Sequence, residues 1–371
     1  MALVDDAQGD EVSASVAEPD LAREPVPVSI APEDDVETVD NETPALGAAW
    51  HPVAEAAELG DEPLGVLLLG RAWVLTRLGG ELVAFEDRCP HRLAPMSAGW
   101  VEGDQLRCRY HGWSFGPDGR CTLIPSNGPG GPIPPRACLV RPAGVMERYG
   151  LIWLAPDDPV CDVHPFPEWD DPAFDRAWTA PRRTPVGAAQ LADNFLDASH
   201  FPTVHTVTFG TPEAAHVGPH QVTREGWEIR TVYEAPYRNH DDPLVATGEH
   251  PLVQPHVLTK IGRPATAVRL TLDFPLTGER LAILFACQPE TAESTRVYKL
   301  MARSGYDGDG ARLAELIRYE DLVLDEDLAI LEAYRHRTLA IDTRAEVHTR
   351  ADRLSVAYRR LLADLVAHAR R

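Results

Sequence analysis

Lysine is nearly absent from this 371-residue chain: it occurs only at positions 260 and 299, and arginine supplies the other basic side chains. Codon bias is the simplest account of that skew. An excess of positive charge is missing too. Asp and Glu number 57 against 35 Lys and Arg, a formal charge of −22, so the basic stripe that nucleic-acid binding needs is not there. No apolar run reaches the roughly 18 residues of a membrane-spanning helix. The opening, MALVDDAQGDEVS, has neither the basic stretch nor the apolar core of a secretory signal. These absences predict a cytoplasmic protein. Cysteine is sparse: the six residues Cys89, Cys108, Cys121, Cys138, Cys161 and Cys287 are unlike a secreted disulfide framework and point to metal binding or burial. No internal repeat is visible. No Gly-rich dinucleotide fingerprint follows a strand, and no four-cysteine ferredoxin pattern occurs.

What is present is organised in three parts. Residues 1–45 hold thirteen Asp and Glu against the single basic residue Arg23 and read as an acidic, disordered tail. Residues 46–156 carry short strand patterns broken by turns, among them 64–70, 72–78, 81–85 and 151–154, which predicts a small antiparallel β domain. Residues 157–186, rich in Asp and Pro, read as a connection. Beyond them come a helix over about 188–201, alternating segments of a larger sheet (227–233, 267–274, 281–286, 296–302), and helices over about 308–337 and 350–369. The last has Leu354, Tyr358, Leu361, Leu362 and Leu365 at helical spacing. The fold class is α+β, with 157–371 as the second domain.

Two short loops carry the first chemistry. Cys89-x-His91 and, sixteen residues on, Cys108-x2-His111 each offer one thiolate and one imidazole. A [2Fe-2S] cluster with two Cys on one iron and two His on the other needs that set, whereas a zinc site would pair Cys with Cys. Cys121 reads as a buried thiol, and Cys138, Cys161 and Cys287 as core. The text CPHR…CRYHGWSFGPDGRC resembles the Rieske domain of the Rieske non-haem iron oxygenases, with Leu93 standing where many relatives have Gly.

The second chemistry lies in Gln190–His205. Asn194, Asp197 and His200 step by three, which places them along one helical ridge. His205 lies about 140° round an ideal helix from His200, and Pro202 should end or kink that helix and let His205 swing back. Two His plus a carboxylate is the ligand set of non-haem Fe(II) oxygenases. The carboxylate is sought in 318–333, where Asp321 and Asp327 border the apolar face and Glu326 points nearly opposite, toward solvent. Periodicity does not choose between the two aspartates.

The resemblance extends over about 48–370 and includes the Asn-x2-Asp-x2-His-x4-His pattern. It implies a helix-grip-like antiparallel sheet carrying a mononuclear iron on His200, His205 and Asp327, with Asn194 as a polar neighbour. It further implies a head-to-tail homotrimer in which Asp197 bridges His200 to His111 of the partner subunit, and a separate ferredoxin and NAD(P)H-dependent reductase. The implied reaction is O2 activation with monooxygenation, by hydroxylation or oxidative demethylation, of an apolar aromatic or alicyclic molecule. Cis-dihydroxylation and a non-catalytic electron carrier are the alternatives. Thr206, Val207, Phe209, Leu272, Phe274 and Phe285 are the expected pocket lining.

Overall fold

The computed structural model describes residues 36–370. Most of the acidic tail therefore lies outside the described residues, but its last ten do not. Thr38–Val39 pairs antiparallel with Leu339–Ala340. Asn41 is buried: its amide donates to the carbonyls of Thr291 and Ser294 and to Thr295 Oγ1, and its Oδ1 accepts from Ala188 N at 2.8 Å. A residue inside the stretch read as a tail thus satisfies an orphan donor at the start of helix α1 (Ala188–Leu196).

The first half holds three small antiparallel sheets. Strands Trp100–Glu102, Gln105–Arg107, Ser114–Phe115 and Cys121–Leu123 form the one that carries the second Cys/His loop. Phe85, Met96, Leu106, Phe115 and Leu139 pack around Cys89 and Cys108. The second half is one large antiparallel sheet whose central meander runs Gln221–Glu225, Glu228–Arg238, Val253–Arg263, Ala267–Phe274, Glu279–Thr291 and Ser294–Ser304. The stretch read as a connection adds two more strands, Phe174–Trp178 and Arg182–Thr184, both pairing with Ser294–Ser304. Phe174 and Trp178 pack against the core there despite the Asp- and Pro-rich text around them.

Among the described residues four further α-helices follow: α2 (Phe201–Val204), α3 (Pro243–Thr247), α4 (Gly310–Leu331) and α5 (Arg353–Ala369). Gly310 opens α4 rather than breaking it, because the Asp309 carboxylate accepts from Ala311 N and Arg312 N. The apolar face of α5, through Tyr358, Leu361, Leu362 and Leu365, enters one core with Ala192 and Leu196 of α1 and with Val53, Leu68 and Trp73 of the first half. The two halves therefore share apolar packing and do not meet only through a linker. Among the described residues no helix is long and apolar enough to cross a membrane.

Two buried histidines make the fold acid-sensitive. His51 Nε2 donates to Leu46 O at 2.8 Å and His164 Nε2 to Ala267 O at 2.9 Å, and each Nδ1 is unpartnered. Burial pushes their pKa values down, to about 4 and about 3. Unfolded, both protonate near ~6.5, so the unfolded chain binds more protons below that pH. The stability they permit is complete above pH ~6.5 and falls as pH drops toward the folded values. Between pH 7 and 5 the two together should cost about 4 kcal/mol. Urea midpoints at the two pH values measure this; a difference near about 2 kcal/mol would show that one ring protonates freely in the fold, and one under about 1 kcal/mol that both do.

Candidate metal centres

The two Cys/His loops have the same backbone. Cys89 N–H donates to Ala94 O and Leu93 N–H returns to Cys89 O; Cys108 N–H donates to Trp113 O and Gly112 N–H returns to Cys108 O. The fourth residue after each cysteine takes a left-handed conformation, φ 59° at Leu93 and 68° at Gly112. Gly112 has no side-chain penalty there, while a leucine costs roughly 1–2 kcal/mol. Its side chain is well exposed, so only the backbone is constrained.

The loops bring both sulfurs into the core, with Cys89 and Cys108 almost fully buried, and leave both imidazoles at the surface. The His91 and His111 ring centroids are 4.6 Å apart, and Trp113 stacks on His91. Burial pushes the Cys89 thiol up to about 11, and its hydrogen-bonded neighbour Cys108 adds to the rise. Two adjacent buried sulfurs can both ionise only against positive charge. The four side chains present therefore fit a cluster with sulfur ligation inside and histidine ligation outside. Of the other cysteines, Cys121 and Cys287 are buried as expected. Cys138 is exposed and Cys161 half-buried, so neither belongs to the core.

The second centre is built differently from the helical ridge that the sequence spacing implies. Helix α1 stops at Leu196, and Asp197 is extended (φ −71°, ψ 150°). Its Oδ1 accepts from Ser199 N and Oγ; its Oδ2 accepts from His200 N and from His200 Nδ1 at 2.7 Å. An aspartate turn thus ends one helix and starts the next. Pro202 does not break a helix; it sits in the first turn of α2, where its missing donor is harmless. His205 is brought round by the chain folding back, with Gly210 N–H on His205 O. A Cβ at Gly210 would stand 2.4 Å from Phe201 O, so that return requires glycine.

Helix α4 closes the site. Its buried stripe is Leu316, Glu320, Leu324, Asp327, Leu328 and Leu331. Asp327 Oδ1 lies 3.4 Å from His200 Nε2 and 3.3 Å from His205 Nε2, and the two Nε2 atoms are 3.2 Å apart. These three residues form a group able to hold a metal ion, and Asp321 is outside it. Hydrogen bonds and charge from the two histidines hold the Asp327 carboxyl well below the usual range, against its burial. Burial disfavours charge on His200, but Asp197 and Asp327 raise its pKa overall.

Glu326 is not in solvent. Its Oε2 accepts from His205 Nδ1 at 3.1 Å and Thr208 Oγ1 at 2.5 Å, and its Oε1 from Val207 N at 3.0 Å. Helical periodicity placed it away from the apolar face, correctly, yet the 205–208 loop covers that flank. No local signal in the sequence could have shown this contact. With Asp197 and Glu326 each accepting a proton from an Nδ1, the proton that a histidine shares with Asp327 sits on Nε2, and its loss frees a lone pair there beside the Asp327 oxygen. Three acceptors converging within 3.4 Å fit a cation.

A cavity of about 60 Å³ opens on this group, lined by Asn194, Phe195, Phe201, Phe209, Tyr237, His256, Leu258, Lys260, Leu270, Leu272, Ile283, Glu320 and Val323. Of the lining expected from sequence, Phe209 and Leu272 are present. Phe274 lines a neighbouring cavity of about 250 Å³ that shares Tyr237. Phe285 stacks behind Phe195 at 4.5 Å, and Val207 is exposed.

Comparison with known proteins finds a match to each half of the chain. Residues 49–142 match the Rieske [2Fe-2S] domain, and residues 186–368 match the vanillate O-demethylase oxygenase C-terminal domain. Methylxanthine N1-demethylase NdmA of Pseudomonas putida is 31% identical over 338 residues, 88% of this chain and 91% of that protein. The chloroacetanilide N-alkylformylase oxygenase component of Rhizorhabdus wittichii is 33% identical over 54% of this chain and 61% of its own length. The structure of NdmA with caffeine superposes with a TM-score of 0.75 at 29% identity, covering 89% of this chain and 94% of the other. Dicamba monooxygenase bound to dicamba, 23% identical, shares the fold with a TM-score of 0.73 over 88% of this chain and 99% of its own. The chain belongs to the Rieske non-haem iron oxygenases, oxidoreductases that join a [2Fe-2S] domain to a catalytic domain with a mononuclear iron.

Proposed function

We propose that this chain is the terminal component of a multi-component monooxygenase that hydroxylates or oxidatively demethylates an apolar aromatic or alicyclic molecule. One observation carries the reading: His200 Nε2, His205 Nε2 and Asp327 Oδ1 converge within 3.4 Å, with both Nδ1 atoms held by carboxylates. Cys89, His91, Cys108 and His111 would hold the cluster. When bound, the cluster supplies electrons singly and the ferrous ion supplies a site for O2 activation.

The chain's own groups supply the rest. Asp197 and Glu326 fix the histidine tautomers. Phe201, Phe209, Leu258, Leu270 and Leu272 exclude water and give an aromatic ring an apolar wall. Asn194 lines that cavity and also the larger open cleft on the other side of His200. A head-to-tail homotrimer would bring His111 of the partner subunit to Asp197. The four acceptor positions of that carboxylate are already taken within the chain, so such a bond would displace one, the Ser199 hydroxyl being the least constrained. Proteins similar to this chain are named as an oxygenase component and as iron-sulfur subunits of monooxygenase systems, which supports a separate ferredoxin and reductase as electron source.

The test is metal analysis and EPR on protein reduced with dithionite, followed by turnover of methoxy- and N-methyl-aromatic compounds with a surrogate ferredoxin and reductase. A Rieske signal with one iron beyond the cluster, and formaldehyde or phenol formed with O2 consumption, is the expected result. Cluster iron alone after ferrous reconstitution would overturn it.

A further inference from the structure

Only two of the 35 basic side chains are lysine, and both are buried: Lys260 is 0% exposed and Lys299 2%. Lys299 is paired. Its Nζ lies 3.2 Å from Glu320 Oε2 and also bonds the Glu320 carbonyl. Lys260 forms no ion pair with a carboxylate among the described residues. Its Nζ donates to Asp197 O at 2.7 Å and Leu196 O at 3.2 Å, and stands 4.8 Å from the Phe201 ring centroid. An ammonium has three donors, and two are used on the carbonyls that end α1. No acceptor atom takes the third among the described residues; it is left beside the Phe201 ring, which with Lys260 lines the cavity.

The neighbours on the same strand matter. In Val253–Arg263 the residues His256, Leu258 and Lys260 alternate onto one face, and all three line the cavity. His256 Nδ1 donates to Ala235 O at 2.7 Å, which leaves Nε2 as an acceptor. The cavity wall therefore carries a cationic donor and a neutral acceptor with leucine between them, and aromatic rings opposite. Of the nearby charges, Glu320 is neutralised by Lys299, while the Asp197 and Asp327 carboxylates are engaged by the histidines and act on Lys260 only through space.

We propose that Lys260 determines substrate specificity, by binding an anionic oxygen of an aromatic carboxylate whose ring lies along Leu258 toward His256. This rests on the oxygenase reading of the same site. Asp197 and Asp327 favour the buried ammonium only through space, without bonding it, so its burial is incompletely offset, and a ligand carboxylate would add a direct partner through a charge-assisted hydrogen bond. The unliganded cavity, about 60 Å³, is smaller than the ~150 Å³ that admits a benzene ring. Ring entry must therefore displace Phe201, Phe209 or Tyr237. Capping of α1 by Lys260 is the purely structural alternative, and it would make no distinction between charged and neutral ligands.

The experiment is anaerobic calorimetry on the purified protein with benzoate, 4-methoxybenzoate and 2-naphthoate, each beside its carboxamide. At least one acid should bind roughly 10- to 30-fold more tightly than its amide. Lys260→Met should abolish that ratio while changing amide affinity less than about threefold. Equal binding of acid and amide by the unaltered protein, or no binding by any acid at millimolar concentration, would overturn the proposal, and neither result needs a variant that folds. Equal weakening of acid and amide in Lys260→Met would assign the lysine to helix capping alone and overturn it as well. Iron content is measured on the same samples. Loss of the acid preference with the extra iron present refutes only Lys260, whereas absence of that iron refutes the oxygenase reading.

Discussion

Asp327→Ala is expected to lower iron from three per chain to two, with the Rieske EPR signal unchanged and turnover lost. The loss should exceed the ~10–100-fold in metal affinity that removing a partner behind a ligand costs, because an ionised donor itself disappears. What remains is two imidazole lone pairs 3.2 Å apart and no anionic ligand. The cluster should be indifferent, since Cys89 and Cys108 sit in a separate apolar core. Asp321→Ala is the matched control. It lies six residues earlier on α4 and outside the metal-competent group, so its iron content should stay at three. If Asp321→Ala lost the iron and Asp327→Ala kept it, the ligand assignment would be reversed. Ferrous titration of apo-protein, with EPR on the same samples, separates the cases.

How much of this is legible in the sequence follows from the range of each interaction. The Cys/His loops are local. Ligand identity, tight turns and even the odd Leu93 lie within six residues of one another, and the left-handed φ at Leu93 and Gly112 explains why that position favours glycine. The two histidines and Asp197 were legible as a constellation, but for a wrong geometric reason. A three-residue step reads as a helical ridge, and the same step also suits an aspartate turn, whose carboxylate bonds the residue three on. Periodicity could not choose between Asp321 and Asp327 because both border one stripe. Only the distance to histidines over 120 residues earlier decides. Asn41 was hidden by its acidic surroundings, since composition averages over a single buried amide.

Glu326 was misread for the same reason, and its replacement is the sharper test of how the site is held. Its three bonds all come from donors: His205 Nδ1–H, Thr208 Oγ1–H and Val207 N–H. Only a carboxylate presents acceptors to all of them. A glutamine must turn its amide nitrogen toward one side. Facing Val207, it opposes an N–H and loosens the loop that carries His205. Facing His205, it favours a proton on Nε2, the tautomer that cannot ligate. Glu326→Gln should therefore weaken ferrous binding by about 10–100-fold and be no milder than Glu326→Ala, where water can enter beside the three donors. Cluster EPR should match the unaltered protein in both variants, and added ferrous iron should restore turnover in proportion to occupancy. A glutamine variant with unaltered iron affinity would show that acceptance by the carboxylate is dispensable, and would remove Glu326 from the machinery that sets the His205 tautomer.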